Sequence, residues 1–247
     1  EAMLHFARRT LTGPGAARFL ESFCAFQRRV APLGMVNSLS QVVLKIASPG
    51  VPDFYQGSEL WDLSLVDPDN RRPVDYALRK QMLTGMTPLL CHVSRSGDAR
   101  TAAVREMLAQ WPDGRIKMFV MATGLHLRRA WAELFLTGGY EPLEAAGTHA
   151  QHVLALARRN GEQSVIAAVP RLFSSLLPPG QMIPVGAEVW GDTILKLPSQ
   201  DKTESYRNLF TGEIVDPGAD GDERWILVAS LLRTCPVALL ASRRVRS

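Results

Sequence analysis

Apolar positions recur along this chain with two different periods, and the change between them divides it. Leu20, Phe23 and either Cys24 or Gln27 fall on one stripe at a 3.6-residue repeat, which predicts a helix around 20–27. Gly34 and the polar pair Asn37-Ser38 mark the start of a second helix. Leu39, Val42, Val43 and Ile46 give it an apolar face, and Pro49-Gly50 stops it. Val51 to Gln56 then reads as a short buried strand closed by Gly57. Pro73 and Asp75 suit the first turn of a helix running toward Leu90. Further helices are predicted over 98–110 and, after Pro112-Asp113-Gly114, over 115–134, with Phe119, Leu125, Leu127 and Trp131 apolar.

From Gly138-Gly139 onward the helical period gives way to short apolar runs between turn signals. These cover 152–157, 164–169, 193–197, 205–215, 225–232 and 237–240, the spacing of an antiparallel sheet or sandwich. Pro178-Pro179-Gly180 and the segment 216–222 read as loops. The expected fold class is therefore α/β plus all-β. Residues 1–136 are mostly helical with a strand at 51–56, and residues 137–247 form a β domain of ordinary size.

Composition narrows the function classes. The 247 residues are 46% hydrophobic and 21% charged, a soluble globular profile. No uncharged apolar run reaches eighteen residues, so no membrane span is expected, and EAMLHFARRT has no apolar core of a secretory signal. Cys24, Cys91 and Cys235 lie far apart without a CxxC, which argues against a disulfide framework or a zinc site and for a reducing, cytoplasmic setting. His149 and His152 have no Cys or carboxylate at ligand spacing, so no metal is expected. The net charge of +4 is dispersed. Only Arg158-Arg159 and Arg243-Arg244/Arg246 cluster, and neither is interleaved with aromatics, so nucleic acid is not an expected partner and the arginines read as solvated. GxSxG, Gly-rich phosphate and HExxH motifs are missing, and no cofactor is implied.

What remains is the loop Ser48–Tyr76. Tyr55, Trp61 and Tyr76 offer aromatic faces to the C–H side of a sugar ring. Asp67, Asp69, Arg71 and Arg72 can take hydroxyls in paired hydrogen bonds, and Gln56 and Asn70 both donate and accept. The same residues admit another reading. Val66–Asn70 is a good turn sequence, and Arg71 and Arg72 can pair with Asp67, Asp69 or Asp75. Asp53 and Glu59 could form a two-carboxylate pair for glycoside chemistry, but nothing in their spacing demands it.

At this loop a family resemblance becomes specific. Gly50-Val51-Pro52-Asp53-Phe54-Tyr55-Gln56-Gly57-Ser58-Glu59 resembles the G-x-P-x-I-Y-Y-G-x-E segment on the last barrel strand of the α-amylase clan. Its continuation, Leu60 to Tyr76, resembles the maltooligosyltrehalose synthase branch. Leu33 to Gln41, Asp113 to Lys117, Glu133 to Leu136 with Gly138, Tyr140 and Pro142-Leu143, then Val169 to Leu172 and Trp190 to Thr193 are similar to that family as well.

The resemblance implies the C-terminal portion of a (β/α)₈ barrel, holding the last strand 51–56, followed by a sandwich-like β domain. It implies an isomerase that converts the reducing-end α-1,4 linkage of a maltooligosaccharide to α,α-1,1. Tyr55, Gln56, Asp67, Asp69, Asn70, Arg71 and Arg72 would face substrate, with Asp53, Glu59, Trp61 and Asp75 supporting them. The family's nucleophile, acid/base Glu and third Asp lie on earlier strands, in a T-H-D-T-K-R-type segment and others that this sequence does not contain. The chain is therefore expected to be a C-terminal fragment with no catalytic residue, inactive alone, and either to dimerise through its exposed barrel surface or to fold its helices differently from the parent. A non-catalytic α-glucan-binding or structural domain is the alternative.

Overall fold

The computed structural model describes residues 1–90 and 97–242. Cys91 and the basic cluster Arg243-Arg244/Arg246 lie outside the described residues. Six helices come first: α1 (Ala2–Thr12), α2 (Ala16–Ala47), α3 (Tyr76–Leu90), α4 (Gly97–Ala109), α5 (Arg115–Ala130) and α6 (Ala132–Thr137). Strands β1 (Gly139–Leu143), β2 (Ala145–Ala146), β3 (Val153–Asn160) and β4 (Gln163–Pro170) follow, then the short helix α7 (Ala187–Trp190). Strands β5 (Ile194–Lys196), β6 (Tyr206–Asn208), β7 (Ile214–Val215), β8 (Gly218–Asp220) and β9 (Glu223–Leu227) lead to α8 (Val228–Leu231) and β10 (Ala238–Ser242).

Every ladder among the described residues is antiparallel. One sheet has six strands in the order β1-β3-β4-β10-β6-β7, and the other has four in the order β2-β5-β9-β8. The register alternates the six-stranded sheet's side chains between two cores. Leu156, Val165, Ala167, Val169, Leu239 and Ala241 join Leu39, Val42, Val43 and Ile46 of α2 and Ile116, Phe119 and Val120 of α5 in one cluster. Ala155, Ala157, Ile166, Ala168 and Leu240 point the other way and pack with Leu195 and Ile226 of the smaller sheet and with Trp190. The sheet is thus a middle layer between helices and a second sheet. This explains why Val165–Val169 is apolar at every position rather than at alternate ones.

Several elements differ from expectation, each for a physical reason. The helices expected at 20–27 and from Asn37 are one helix of 32 residues that runs through Pro32 and Gly34. Pro32 removes one intrahelical bond, but Met35, Val36, Leu39 and Val43 are buried against the protein interior, and that burial keeps the helix continuous through the proline. By length and composition α2 could cross a membrane, with mean hydropathy 1.3 over an 18-residue window, half of which is buried in the protein. The helix expected to reach Leu134 breaks at Trp131, whose φ of −116° and ψ of 46° are not helical, and α6 then carries Leu134 and Phe135 into the core. The second half of the run 225–232 is helical, and β8 lies in the segment read as a loop.

The strand expected at 51–56 forms no ladder among the described residues. Its period of two is nonetheless present: Pro52 and Phe54 are partly buried, while Val51, Asp53 and Tyr55 are exposed, Val51 to 89%. Such a strand needs a neighbour to accept and donate its backbone bonds, and none lies beside it in the described chain. Lys45 Nζ holds the Asp53 carbonyl at 2.8 Å instead, and Arg128 donates to the carbonyls of Ile46 at 2.5 Å, Ser48 at 3.2 Å and Gly50 at 2.6 Å.

Arg158 also departs from the reading of solvated arginines. It is only 2% exposed and donates to the carbonyls of Ala47, Leu134, Phe135, Gly138 and Gly139. Helix C-termini end in unpaired carbonyls and carry partial negative charge, which is what a buried guanidinium requires.

Candidate functional site

The polar loop leaves the extended segment at Gly57 and returns at α3. Gly57 has φ of 88°, and a Cβ there would lie 3.3 Å from Val74 Cγ2 and 3.8 Å from Arg79 Nη2, so the turn demands glycine. Arg79, one turn into α3, closes the base of the loop. Its Nε donates to Glu59 Oε2 at 2.8 Å, its Nη2 to the Gly57 carbonyl at 2.9 Å and its Nη1 to the Asp75 carbonyl at 3.1 Å. Asp75 Oδ1 accepts from the Leu78 amide at 2.9 Å, the bond of a helix N-cap. This brings the two ends of the loop together, and Tyr76 Oη donates to Gln56 Oε1 at 3.2 Å. Tyr55, Gln56 and Tyr76 stand exposed at this junction.

A second clamp holds the next residues. Trp61 Nε1 donates to the Trp111 carbonyl at 2.5 Å, and the two indoles meet edge to face with centroids 6.5 Å apart. Lys117, only 7% exposed, donates to the Leu60 carbonyl at 3.0 Å and lies 5.8 Å from the Trp61 ring centroid. Burial pushes its ammonium pKa down, and the nearby Asp62 and Glu59 oppose that shift.

Beyond these clamps the loop projects. Leu63, Leu65 and Val66 are exposed, Leu63 to 93%. Arg71 pairs with Asp67 through Nη2 at 2.8 Å, and Arg72 pairs with Asp69. Asp69 also accepts from the Leu65 amide at 2.7 Å, and that bond, then Arg72, holds its carboxyl below the ordinary value. Asp62 is lowered in the same way by its bonds to Ser64. Asn70 is partly buried, and its Oδ1 has no partner among the described residues.

The structure therefore brings the expected residues together in two groups. Tyr55, Gln56, Glu59, Trp61 and Asp75 lie at the clamped base, with Asp53 exposed on the segment entering it. Asp67, Asp69, Asn70, Arg71 and Arg72 lie on the projecting part, where the charges neutralise one another in pairs. Arg79, Lys117, Trp111 and Arg128 do the anchoring and were not singled out for it from the sequence. The faint signal for Arg79 was its place three residues after Tyr76, on the helix face that turns back toward the loop. No group of three or more His, Cys, Asp or Glu among the described residues could hold a metal.

Comparison with known proteins gives this loop its relatives. The class comes first: over nearly its whole length the chain matches structures titled as trehalose synthases of the maltooligosyl type. The maltooligosyltrehalose synthase from Arthrobacter ramosus is 31% identical with a TM-score of 0.66, covering 95% of this chain and 25% of that one. A second structure titled maltooligosyl trehalose synthase is 26% identical with a TM-score of 0.63, over 98% of this chain and 26% of its own. Two Mycobacterium tuberculosis proteins, of strains CDC 1551 / Oshkosh and ATCC 25618 / H37Rv, are provisionally named maltooligosyl trehalose synthase; each is 38% identical over 169 residues, 68% of this chain. The chain spans 17% of the length of these curated relatives. No family profile matches. The resemblance read from Gly50–Tyr76 is borne out: this chain is similar to a stretch of the maltooligosyltrehalose synthases.

Proposed function

We propose that this chain is the C-terminal part of an intramolecular transglucosylase. The enzyme would convert the reducing-end α-1,4 linkage of a maltooligosaccharide to α,α-1,1, giving maltooligosyltrehalose. The observation that carries this reading is the match over 95% of the chain to a synthase of that name. In it, residues 1–136 complete a (β/α)₈ barrel and residues 137–247 are its C-terminal β domain. The unpaired segment Val51–Gln56 is the last barrel strand, whose neighbours come from residues before Glu1. The exposed Phe6, Phe19, Phe23 and Phe26 of α1 and α2 pack against the same preceding residues. The enzyme needs no cofactor and works in the cytoplasm.

Such a reaction retains configuration through a glycosyl-enzyme, with one carboxylate as nucleophile and one carboxylic acid as proton donor. In this reading both come from earlier strands. The loop supplies the wall: Tyr55 beside a sugar ring, Gln56 and Asn70 on its hydroxyls, and the Asp–Arg pairs over the released glucose. That glucose must turn and re-attack before water does, so the wall must be closed and firm.

The experiment is to incubate the intact protein that carries this chain, and the chain alone, with maltopentaose. Maltooligosyltrehalose is expected from the intact protein only. The isolated chain is expected to bury its exposed phenylalanines by dimerising, seen in light scattering. Absence of any α,α-1,1 product from the intact protein would refute the reading, and a glucan-binding module would then be tested by titration with maltoheptaose.

A further inference from the structure

The Arg79 guanidinium uses all of its nitrogens on groups from both ends of one loop: the Glu59 carboxylate, the Gly57 carbonyl and the Asp75 carbonyl. Its side chain is 18% exposed, against 69% for Arg71 and Arg72, so its bonds are shielded from water where theirs are open to it. The fork of a guanidinium can satisfy acceptors in several fixed directions at once, which an ammonium cannot do with the same rigidity. Gly57 turns with φ of 88°, and a side chain added there would meet Val74 at 3.3 Å.

The consequence falls on Gln56. Its side-chain oxygen accepts from Tyr76 Oη at 3.2 Å, and Tyr76 begins the helix that carries Arg79. With Oε1 engaged, the amide nitrogen is the end that Gln56 offers to a ligand, so it presents a donor to a sugar oxygen. The hydrogen bonds of Arg79 go to Glu59, Gly57 and Asp75 rather than to Tyr55, Gln56 or Tyr76. Its effect passes through the turn and the Gln56–Tyr76 pair.

We infer that Arg79 is a positioning residue that fixes the Gln56–Tyr76 pair against the reducing-end glucose, and thereby sets how often that glucose re-attacks before water does. This deepens the proposed function and rests on it. Displacement of a positioned group by about 1 Å can lower a rate about 10²-fold, and a loosened wall admits water.

The test uses Arg79→Met, Arg79→Lys and Tyr76→Phe in the intact protein with maltopentaose. It reads kcat, KM, the share of free glucose among the products and the thermal midpoint. Arg79→Met is expected to lower kcat about 10²-fold with KM little changed, and to raise the glucose share severalfold. Arg79→Lys is expected to restore only part of this. Tyr76→Phe, which removes one exposed hydroxyl, is expected to raise the glucose share while leaving the midpoint unchanged. A folded Arg79→Met enzyme with wild-type kcat and product ratio would overturn the inference. If Arg79→Met does not fold, a wild-type glucose share in Tyr76→Phe overturns it. Failure of the underlying reading shows separately, because the wild-type protein then makes no α,α-1,1 product.

Discussion

The Arg158 guanidinium reaches the Ala47 carbonyl at 3.3 Å, joining β3 to the end of α2 across 111 positions of sequence. The same side chain bonds the last carbonyls of α6, so one buried charge closes two helix ends against one sheet. Burial draws its pKa down, yet a guanidinium stays protonated in a protein. Arg158→Met should therefore orphan several buried carbonyls at once and lower stability by about 3–5 kcal/mol. Urea denaturation followed by circular dichroism measures it. A loss under about 1 kcal/mol would mean that water or a neighbour takes over the carbonyls.

Gly124 marks where α5 crosses α2. A Cβ at this position would lie 2.7 Å from Ile46 Cδ1 and 3.0 Å from its Cγ2. Gly124→Ala should gain a little helix propensity and lose more to overpacking, for a net destabilisation of about 1–2 kcal/mol. The double variant with Ile46→Val should recover part of the loss in the same melt, because the two sites share one contact.

Acid should weaken the β half through one carboxylate. Asp201 Oδ2 accepts from Tyr206 Oη at 2.6 Å and Ser164 Oγ at 3.0 Å, and Oδ1 accepts from the Thr203 amide at 2.9 Å. Burial pushes the Asp201 carboxyl up, but these bonds outweigh it and leave the pKa below its ordinary value of 3.8. A carboxyl lowered by folding stabilises the protein above its unfolded pKa and loses that contribution as pH falls through the folded one. Wild-type stability should thus drop below about pH 4, and Asp201→Asn should flatten that part of the curve while lowering the plateau. Tyr206→Phe should cost about 1–2 kcal/mol at neutral pH.

The exposed pairs Asp67–Arg71 and Asp69–Arg72 should behave in the opposite way. Exposed ion pairs contribute little to stability, so Arg71→Ala and Arg72→Ala, whose side chains are 69% exposed, should leave the urea midpoint unchanged. In the intact protein the same changes should cut the rate or raise the share of free glucose released from maltopentaose. An unaltered rate and product ratio would assign the pairs to mutual neutralisation alone.

Much of this fold is written in local pattern, and what escapes has a common cause. The apolar run Val165–Val169 announced a buried strand, but not that α2 and α5 lie on one side of it and the smaller sheet on the other. The period of two at Val51–Tyr55 is real, yet a ladder needs a partner strand, and period alone does not supply one. Arg158 and Arg159 look alike in sequence. Register sends the first toward helix ends and leaves the second half-exposed beside a turn. At the loop, the residue types suited to a sugar were visible from the start, and so was the prospect that Arg71 and Arg72 would pair with nearby aspartates. The anchors Arg79 and Lys117 were hidden because each acts across 20 or more residues on a backbone carbonyl. Composition does not register such a partner.

The strand order has a consequence for how the chain is made. β10 lies between β4 and β6, although it is the last of the ten strands in sequence among the described residues. When β3 and β4 leave the ribosome they can zip as a hairpin, but one edge of that hairpin stays open while the 67 residues between Pro170 and Ala238 are made. Both apolar cores meet on this sheet, so neither can be sealed until residue 242 has been added. The nascent chain must keep two unfinished faces apart from other proteins for that whole interval, and a stall shortly before β10 would leave an adhesive intermediate rather than half of a folded protein.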